Sequence, residues 1–247
     1  MPWRETHSAY RILVSEFMLQ QTGISRVLKM YGPFLRLFPS FPALARAGVV
    51  DVMAAWKGLG YNRRALALRN TAKLVLSRHH GRLPRTLEEL RALPGIGPAT
   101  AGALLAYCFG IAVPFIETNI RRCFIHFFFP GESNVPDRRL LPLVEEALDA
   151  GNPREWYYAL MDYGTMLGRG GNNPNRQSAS YKPQGAFAGS MRQLRGRILD
   201  IMLQRRGASL QQISAFLERP DPRLQEGLRQ LAAEGVLKQR VGRYYFR

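Results

Sequence analysis

Only two cysteines occur in the 247 residues, Cys108 and Cys123, each inside an apolar, helix-patterned segment. Two are too few for a disulfide framework, and neither has the spacing of a zinc or cluster ligand. Both read as reduced core residues of a cytoplasmic protein. The four histidines, His7, His79, His80 and His126, form no ligand spacing either, so no metal site is expected. No uninterrupted apolar stretch is long enough to cross a bilayer and the N-terminus lacks a signal-like pattern, so no membrane partner is expected. Acidic residues are scarce, 18 Asp and Glu against 35 Lys and Arg, for a formal net charge of +17. An excess of that size implies a polyanionic partner, and nucleic acid is the choice that remains.

Hydrophobic residues make up 46% of the chain, enough for a sizeable core divided into two or three compact units. From Ser8 to Asp162 the apolar residues recur at three and four, and alternating strand pattern is scarce. Helices are expected over 8–21, 24–37, 49–56, 61–79, 86–92, 98–109, 118–128, 138–149 and 153–167, bounded by Pro, Gly or Asn. Residues 168–190 are rich in Gly, Asn, Ser and Pro and read as an irregular linker. Residues 191–247 have another rhythm: helices over 191–205, 209–217 and 222–234, then alternating segments on either side of Val241-Gly242, as in a hairpin. Three helices and a hairpin make a winged-helix pattern. Residues 190–247 carry 12 basic and 5 acidic side chains, which suits either DNA or a protein partner.

Leu93-Pro94-Gly95-Ile96-Gly97-Pro98-Ala99-Thr100-Ala101 lies between two apolar-periodic segments, 87–93 and 99–107. That is a helix-hairpin-helix pattern: glycines permit a tight turn and close backbone approach, and the N–H groups opening the second helix face outward as anion donors. A Gly-x-Gly turn alone is more often an ordinary helix connection. The net charge favours a DNA phosphate as its guest.

With Pro114-Phe115-Ile116-Glu117-Thr118-Asn119-Ile120-Arg121-Arg122 downstream, the hairpin resembles the helix-hairpin-helix (HhH-GPD) DNA glycosylase superfamily. Pro2-Trp3-Arg4, Ser15-Glu16-Phe17-Met18-Leu19-Gln20-Gln21-Thr22, Trp56-Lys57-Gly58-Leu59-Gly60-Tyr61 and Met161-Asp162-Tyr163-Gly164 are similar, in order and spacing, to the MutY-type adenine DNA glycosylases. The resemblance covers residues 2–167. It implies an all-α, two-lobed glycosylase fold over 1–167 with two helical subdomains and a cleft for an expelled base, followed by residues 168–190 and a small α+β winged-helix domain over 191–247. It also implies a monomer acting on double-stranded DNA with a damaged or mispaired base, in the cytoplasm at the nucleoid.

The resemblance assigns catalysis to Glu16, Glu117 and Asn119. Breaking a glycosidic bond calls for an acid on the leaving base and a carboxylate near the cationic sugar. A glutamate in an apolar helix is ordinarily a surface residue, and one at a helix start is ordinarily a favourable charge on the dipole. With the flanking motifs, Glu16 becomes the proton donor, kept protonated by burial among Ile12, Leu13, Val14, Phe17 and Met18. Glu117 becomes the ionised partner, at a helix start that Thr118 or Asn119 can cap. Gln21, Thr22, Leu59, Gly60 and Tyr61 are implied at the opened duplex, although core packing accounts equally well for Leu59 and Tyr61. Gly95, Gly97, Thr100 and Arg121 are implied on the phosphate backbone. Arg63, Arg64, Arg69 and Arg122 are further phosphate candidates or a solvated face. The hairpin of this superfamily often holds a monovalent cation through its carbonyls.

Four features depart from the family pattern. Glu117 stands where Asp is usual, and one methylene moves the carboxylate by about 1.5 Å. Ala99 stands where strand-cleaving relatives place a Schiff-base Lys, which implies a monofunctional enzyme. The four cysteines that bind a [4Fe–4S] cluster are missing after Gly164, so no cluster can form, and that segment is expected to be ordered by hydrogen bonds and by Arg169, Arg176, Tyr181 and Lys182. The winged-helix pattern replaces a Nudix-like domain that recognises 8-oxoguanine. Three readings stay open: excision of a mispaired or altered purine, adenine first; a uracil or thymine mismatch glycosylase; and a DNA-damage-binding protein without catalysis. A protonated Glu16 favours a purine, which leaves more readily once a ring nitrogen is protonated.

Overall fold

A computed structural model describes residues 1–169, 173–205, 207–217 and 220–247. The helices in chain order are α1 (Ala9–Leu19), α2 (Ile24–Leu37), α3 (Phe41–Arg46), α4 (Val49–Ala55), α5 (Arg63–Arg78), α6 (Leu87–Arg91), α7 (Pro98–Phe109), α8 (Thr118–Phe128), α9 (Asp137–Ala147), α10 (Pro153–Arg169), α11 (Met191–Gln204), α12 (Leu210–Phe216) and α13 (Leu224–Ala233). Three short strands, β1 (Ala208–Ser209), β2 (Leu237–Arg240) and β3 (Arg243–Phe246), form an antiparallel sheet in the order β1-β3-β2. The chain is thus all-α with a small C-terminal α+β region. Helix α3 and strand β1 were not expected. The signal for α3 is local: Ser40 caps Ala43 N–H and Pro42 sits in the first turn.

The chain forms two compact units, Met1–Glu16 with Leu83–Pro183, and Phe17–Arg82 with Gln184–Arg247. In the first, α8 and α10 form the principal helix pair, and their close approach depends on glycine. A methyl at Gly164 would overlap the Asn119 backbone, and one at Gly168 would overlap the Arg122 guanidinium. Tyr157 and Phe115 stack at 4.0 Å beneath them, with Tyr157 Oη donating to Val113 O at 2.7 Å.

Within the segment expected to be an irregular linker, residues 173–179 are ordered. Gly170, Gly171 and Asn172 lie outside the described residues, but α10 continues to Arg169 and Pro174–Gln177 makes a 3-10 turn. Asn175 is buried and donates to Thr118 O at 3.0 Å, and Val135 pairs with the strand-like segment at Gln177 and Ala179. Asparagine side chains and backbone pairing supply the hydrogen bonds expected from the sequence.

In the second unit, Trp56, Phe17, Phe34, Leu44 and Leu68 are fully buried. In its C-terminal part α11, α12 and α13 bury Leu194, Ile198, Ile213, Leu228 and Leu231. A capping box of Ser209 and Gln212 starts α12. Strands β2 and β3 meet at Val241-Gly242, both with positive φ (46° and 69°), the geometry of a type I′ turn. Val241 is 99% exposed at its tip. Among the described residues, no helix is long and apolar enough to cross a membrane.

Candidate active site

Helix α1 presents Ile12, Leu13, Val14, Phe17 and Met18 to the core. Ser15 is also buried and returns its hydroxyl to Ile12 O at 2.7 Å. Glu16 follows, half-buried. Burial first, and then the charge of Glu117, pushes its carboxyl up to about 8, against the pull of Arg4. Arg4 is itself held away by a bidentate pair with Asp162, at 2.7 and 2.8 Å, and lies 4.4 Å over the Tyr158 ring. Glu16 is therefore a carboxylic acid at neutral pH, as the apolar segment around it predicts.

Glu117 corrects one expectation. Neither Thr118 nor Asn119 caps α8, because Glu117 does so itself: its Oε1 accepts from the N–H groups of Asn119 and Ile120. Its Oε2 receives the Asn119 side-chain amide at 3.3 Å. Burial raises the Glu117 carboxyl above its ordinary range, opposed by these two N–H donors and by Arg121 and Arg122. The helix start alone would have lowered it. Desolvation outweighs the dipole here.

Asn119 is fixed from several sides. Arg122 donates to Asn119 Oδ1 at 2.8 Å, to Gly164 O, and to Asn173 Oδ1 at 2.9 Å, while Gly164 leaves room for the Asn119 backbone. This explains the glycine of Met161-Asp162-Tyr163-Gly164. Arg121, assigned to a phosphate by the sequence reading, directs its fork at Asp137 with two bonds of 2.7 Å.

Tyr107 escaped the sequence reading, because it lies in the apolar run that marks α7. Its ring is 3% exposed and stacks on Tyr158 at 4.6 Å. A polar-tipped aromatic on an otherwise apolar helix face was the available signal.

At the hairpin, Thr86 caps α6 through Glu89 N–H and Pro98 opens α7. Gly95 has φ +78°, which glycine adopts without strain. Gly97, the exposed N-cap of α7, is extended and has open space where a side chain would be, so no internal packing demands glycine there. Thr100 is half-buried in the first turn of α7, next to the half-buried Ala99.

In the second unit, Gln21, Thr22, Leu59, Gly60 and Tyr61 are brought together around one side chain, Arg64. Far from facing a phosphate, Arg64 is 6% exposed. It donates to the carbonyls of Phe17 (2.7 Å), Met18 (3.0 Å), Gln20, Leu59 (3.1 Å) and Gly60 (3.0 Å) and to Thr22 Oγ1 (2.9 Å). Burial lowers it to about 10. It satisfies orphan carbonyls at the end of α1 and ties that end to the 57–61 loop. Thr22 adds a bond to Leu59 O at 3.1 Å. Gln21 and Tyr61 both have left-handed backbones (φ 55° and 47°), a conformation such residues hold only where the surroundings impose it. Gln21 is exposed and Tyr61 half-buried, its hydroxyl receiving the Gln184 amide. Leu59, in contrast, is 2% exposed and belongs to the core. Arg69 is directed inward too, to Ala47 O at 2.7 Å.

Among the described residues no group of three or more His, Cys, Asp or Glu could hold a metal. The two cysteines do not fit a cluster: Cys123 donates to Leu160 O at 3.4 Å, and burial raises both thiols, to about 12 for Cys108 and about 11 for Cys123. A cluster needs several thiolates side by side.

The sequence profile described as HhH-GPD superfamily base excision DNA repair protein matches residues 14–143. The chain is 34% identical to an adenine DNA glycosylase of Mycolicibacterium smegmatis, over 82% of this chain and 75% of the relative. It is 36% identical to one of Mycobacterium tuberculosis, over 82% and 73%. Among solved structures, a thermostable thymine-DNA glycosylase is similar with TM-score 0.62 and 26% identity, over 70% of this chain and 82% of that one. Endonuclease III from a non-covalent DNA complex shares the fold, with TM-score 0.53 and 18% identity over 65% and 72%.

Proposed function

The chain belongs to the HhH-GPD superfamily of base excision DNA repair proteins, and from that premise we propose that it is an adenine DNA glycosylase that releases the base and leaves an abasic site. The observation that carries this reading is the unequal carboxyl pair: Glu16 held as an acid and Glu117 tethered at the start of α8.

Glu16 gives its proton to a ring nitrogen of the flipped purine. The bond between C1′ and N9 then breaks with its electron pair passing into the purine, and positive charge develops on the sugar. A water molecule bonds to C1′ and its proton passes to Glu117, through the carboxylate oxygen nearer the Asn119 amide. Adenine leaves, and solvent returns a proton to Glu16 and takes one from Glu117. Ala99 cannot form a Schiff base, so the strand stays whole. The start of α7 at Gly95, Gly97 and Thr100 grips a phosphate, while Gln21 and Tyr61 stand at the opened duplex. Leu59 acts there through its backbone only. The enzyme works as a monomer at the nucleoid.

The likeness to a thymine-DNA glycosylase favours a second reading, pyrimidine excision. A pyrimidine leaves as a stabilised anion and does not need the acid that Glu16 supplies. Single-turnover assays on duplexes with adenine opposite guanine or 8-oxoguanine, and with uracil or thymine opposite guanine, separate the two. Adenine release, with strand scission only after alkali, is expected. Release of pyrimidine alone would overturn the reading, and so would tight, salt-dependent binding without any abasic product.

A further inference from the structure

Tyr107 Oη and Asn175 Oδ1 are the buried side-chain polar atoms without a hydrogen-bond partner among the described residues. Asn175 uses its amide nitrogen on Thr118 O; Tyr107 has no other polar atom on its side chain. An unpaired buried hydroxyl is destabilising. Phenylalanine would avoid that cost in the same space.

The ring is held on one face and the backbone beneath it is anchored. Tyr158 stacks against it, with Arg4 at 4.4 Å over the other ring of the pair, and Arg154 donates to Tyr107 O at 3.1 Å. Arg154 is in turn fixed to the carbonyls of Arg4 and Thr6, both at 2.8 Å. The hydroxyl that results is within electrostatic reach of both catalytic carboxyls: Glu16 and Glu117 each add to the effect of burial in raising it well above the phenol range. It is a permanent donor at physiological pH, with no acceptor among the described residues. Two turns earlier on α7, Ala99 contributes no hydroxyl.

We propose that the Tyr107 hydroxyl is a positioning group of the active site, which donates to the attacking water and holds it between Glu16 and Glu117. The reading rests on the glycosylase assignment. With one lone pair of the water fixed by the phenol and one proton directed at Glu117, the second lone pair faces the sugar carbon. The folded-back carboxylate of Glu117 needs such help, since two of its acceptor directions are occupied by Asn119 and Ile120 N–H.

Tyr107→Phe tests this under single-turnover conditions on an adenine-containing duplex. The expected result is a rate lower by about 10- to 100-fold, an unchanged Kd for the duplex, and a Tm equal to or above that of the parent, because an unsatisfied hydroxyl has been removed. A rate within twofold of an active parent overturns the proposal. So does a rate loss accompanied by a lower Tm and weaker DNA binding, which marks a structural residue. A parent inactive on every duplex overturns the glycosylase reading itself and this proposal with it.

Discussion

The two compact units treat their buried polar groups in opposite ways. Around Glu16, Glu117 and Tyr107, hydrogen bonding leaves the Tyr107 hydroxyl without a partner among the described residues, and burial raises all three groups, with Glu16 kept protonated. Around Arg64 hydrogen bonding is saturated, with seven acceptors on one guanidinium and the charge retained despite burial. Saturation converts a buried charge into a fastener, whereas incomplete pairing leaves it available for a substrate.

The sharpest way to break that comparison is Glu117→Gln. Removal of the base should lower the single-turnover rate by about 10²- to 10⁴-fold while leaving duplex affinity intact. A rate near the parent's would show that the cap on α8 is the whole role of Glu117.

Glu16→Gln should slow adenine release by about 10²-fold or more, and it should also stabilise the fold. The sign follows from the shift: the folded carboxyl titrates near 8 and the unfolded one near 4.5. The native state therefore holds the extra proton between those values, and stability falls as pH rises from about 4.5 to about 8. Activity of the parent should decline as pH rises through about 8, and the Tm advantage of the variant should be larger at pH 9 than at pH 5. Equal advantage at both pH values would contradict a protonated Glu16.

Arg64→Met inverts the comparison. It strips donors from buried carbonyls, so a loss of about 3–5 kcal/mol is expected in urea unfolding. A variant as stable as the parent, yet with weakened DNA binding, would return Arg64 to the phosphate role that its position beside Arg63 invites. The smallest effect is expected of Gly164→Ala. Overlap with the Asn119 backbone should cost about 1–3 kcal/mol and displace Glu117 as well, lowering the rate more than Tm alone predicts.

Much of the architecture was legible in the sequence because it is written in local periodicity. Helices α2, α7 and α8 start and stop where Gly, Pro and the apolar repeat place them, and Val241-Gly242 marks the one tight β-turn of the tail. Short α3 lacked the length for a periodic signal. The roles of charged residues were harder to read. Arg63 and Arg64 are neighbours of the same type, one exposed and one buried, and which of them faces the core depends on the phase of α5 against α1. Arg121 looked like a phosphate ligand until Asp137, 16 residues away, claimed it.

The sequence by itself determined the helical class and the hairpin, because spacing and neighbouring residue types are enough for those, and its family resemblance singled out Glu16 and Glu117 as candidates. Only the tertiary structure decided how each carboxyl is tuned, that Glu117 caps its own helix, and that Tyr107 belongs with them. Desolvation and charge coupling depend on distances between segments far apart in the chain, and no local pattern records those distances.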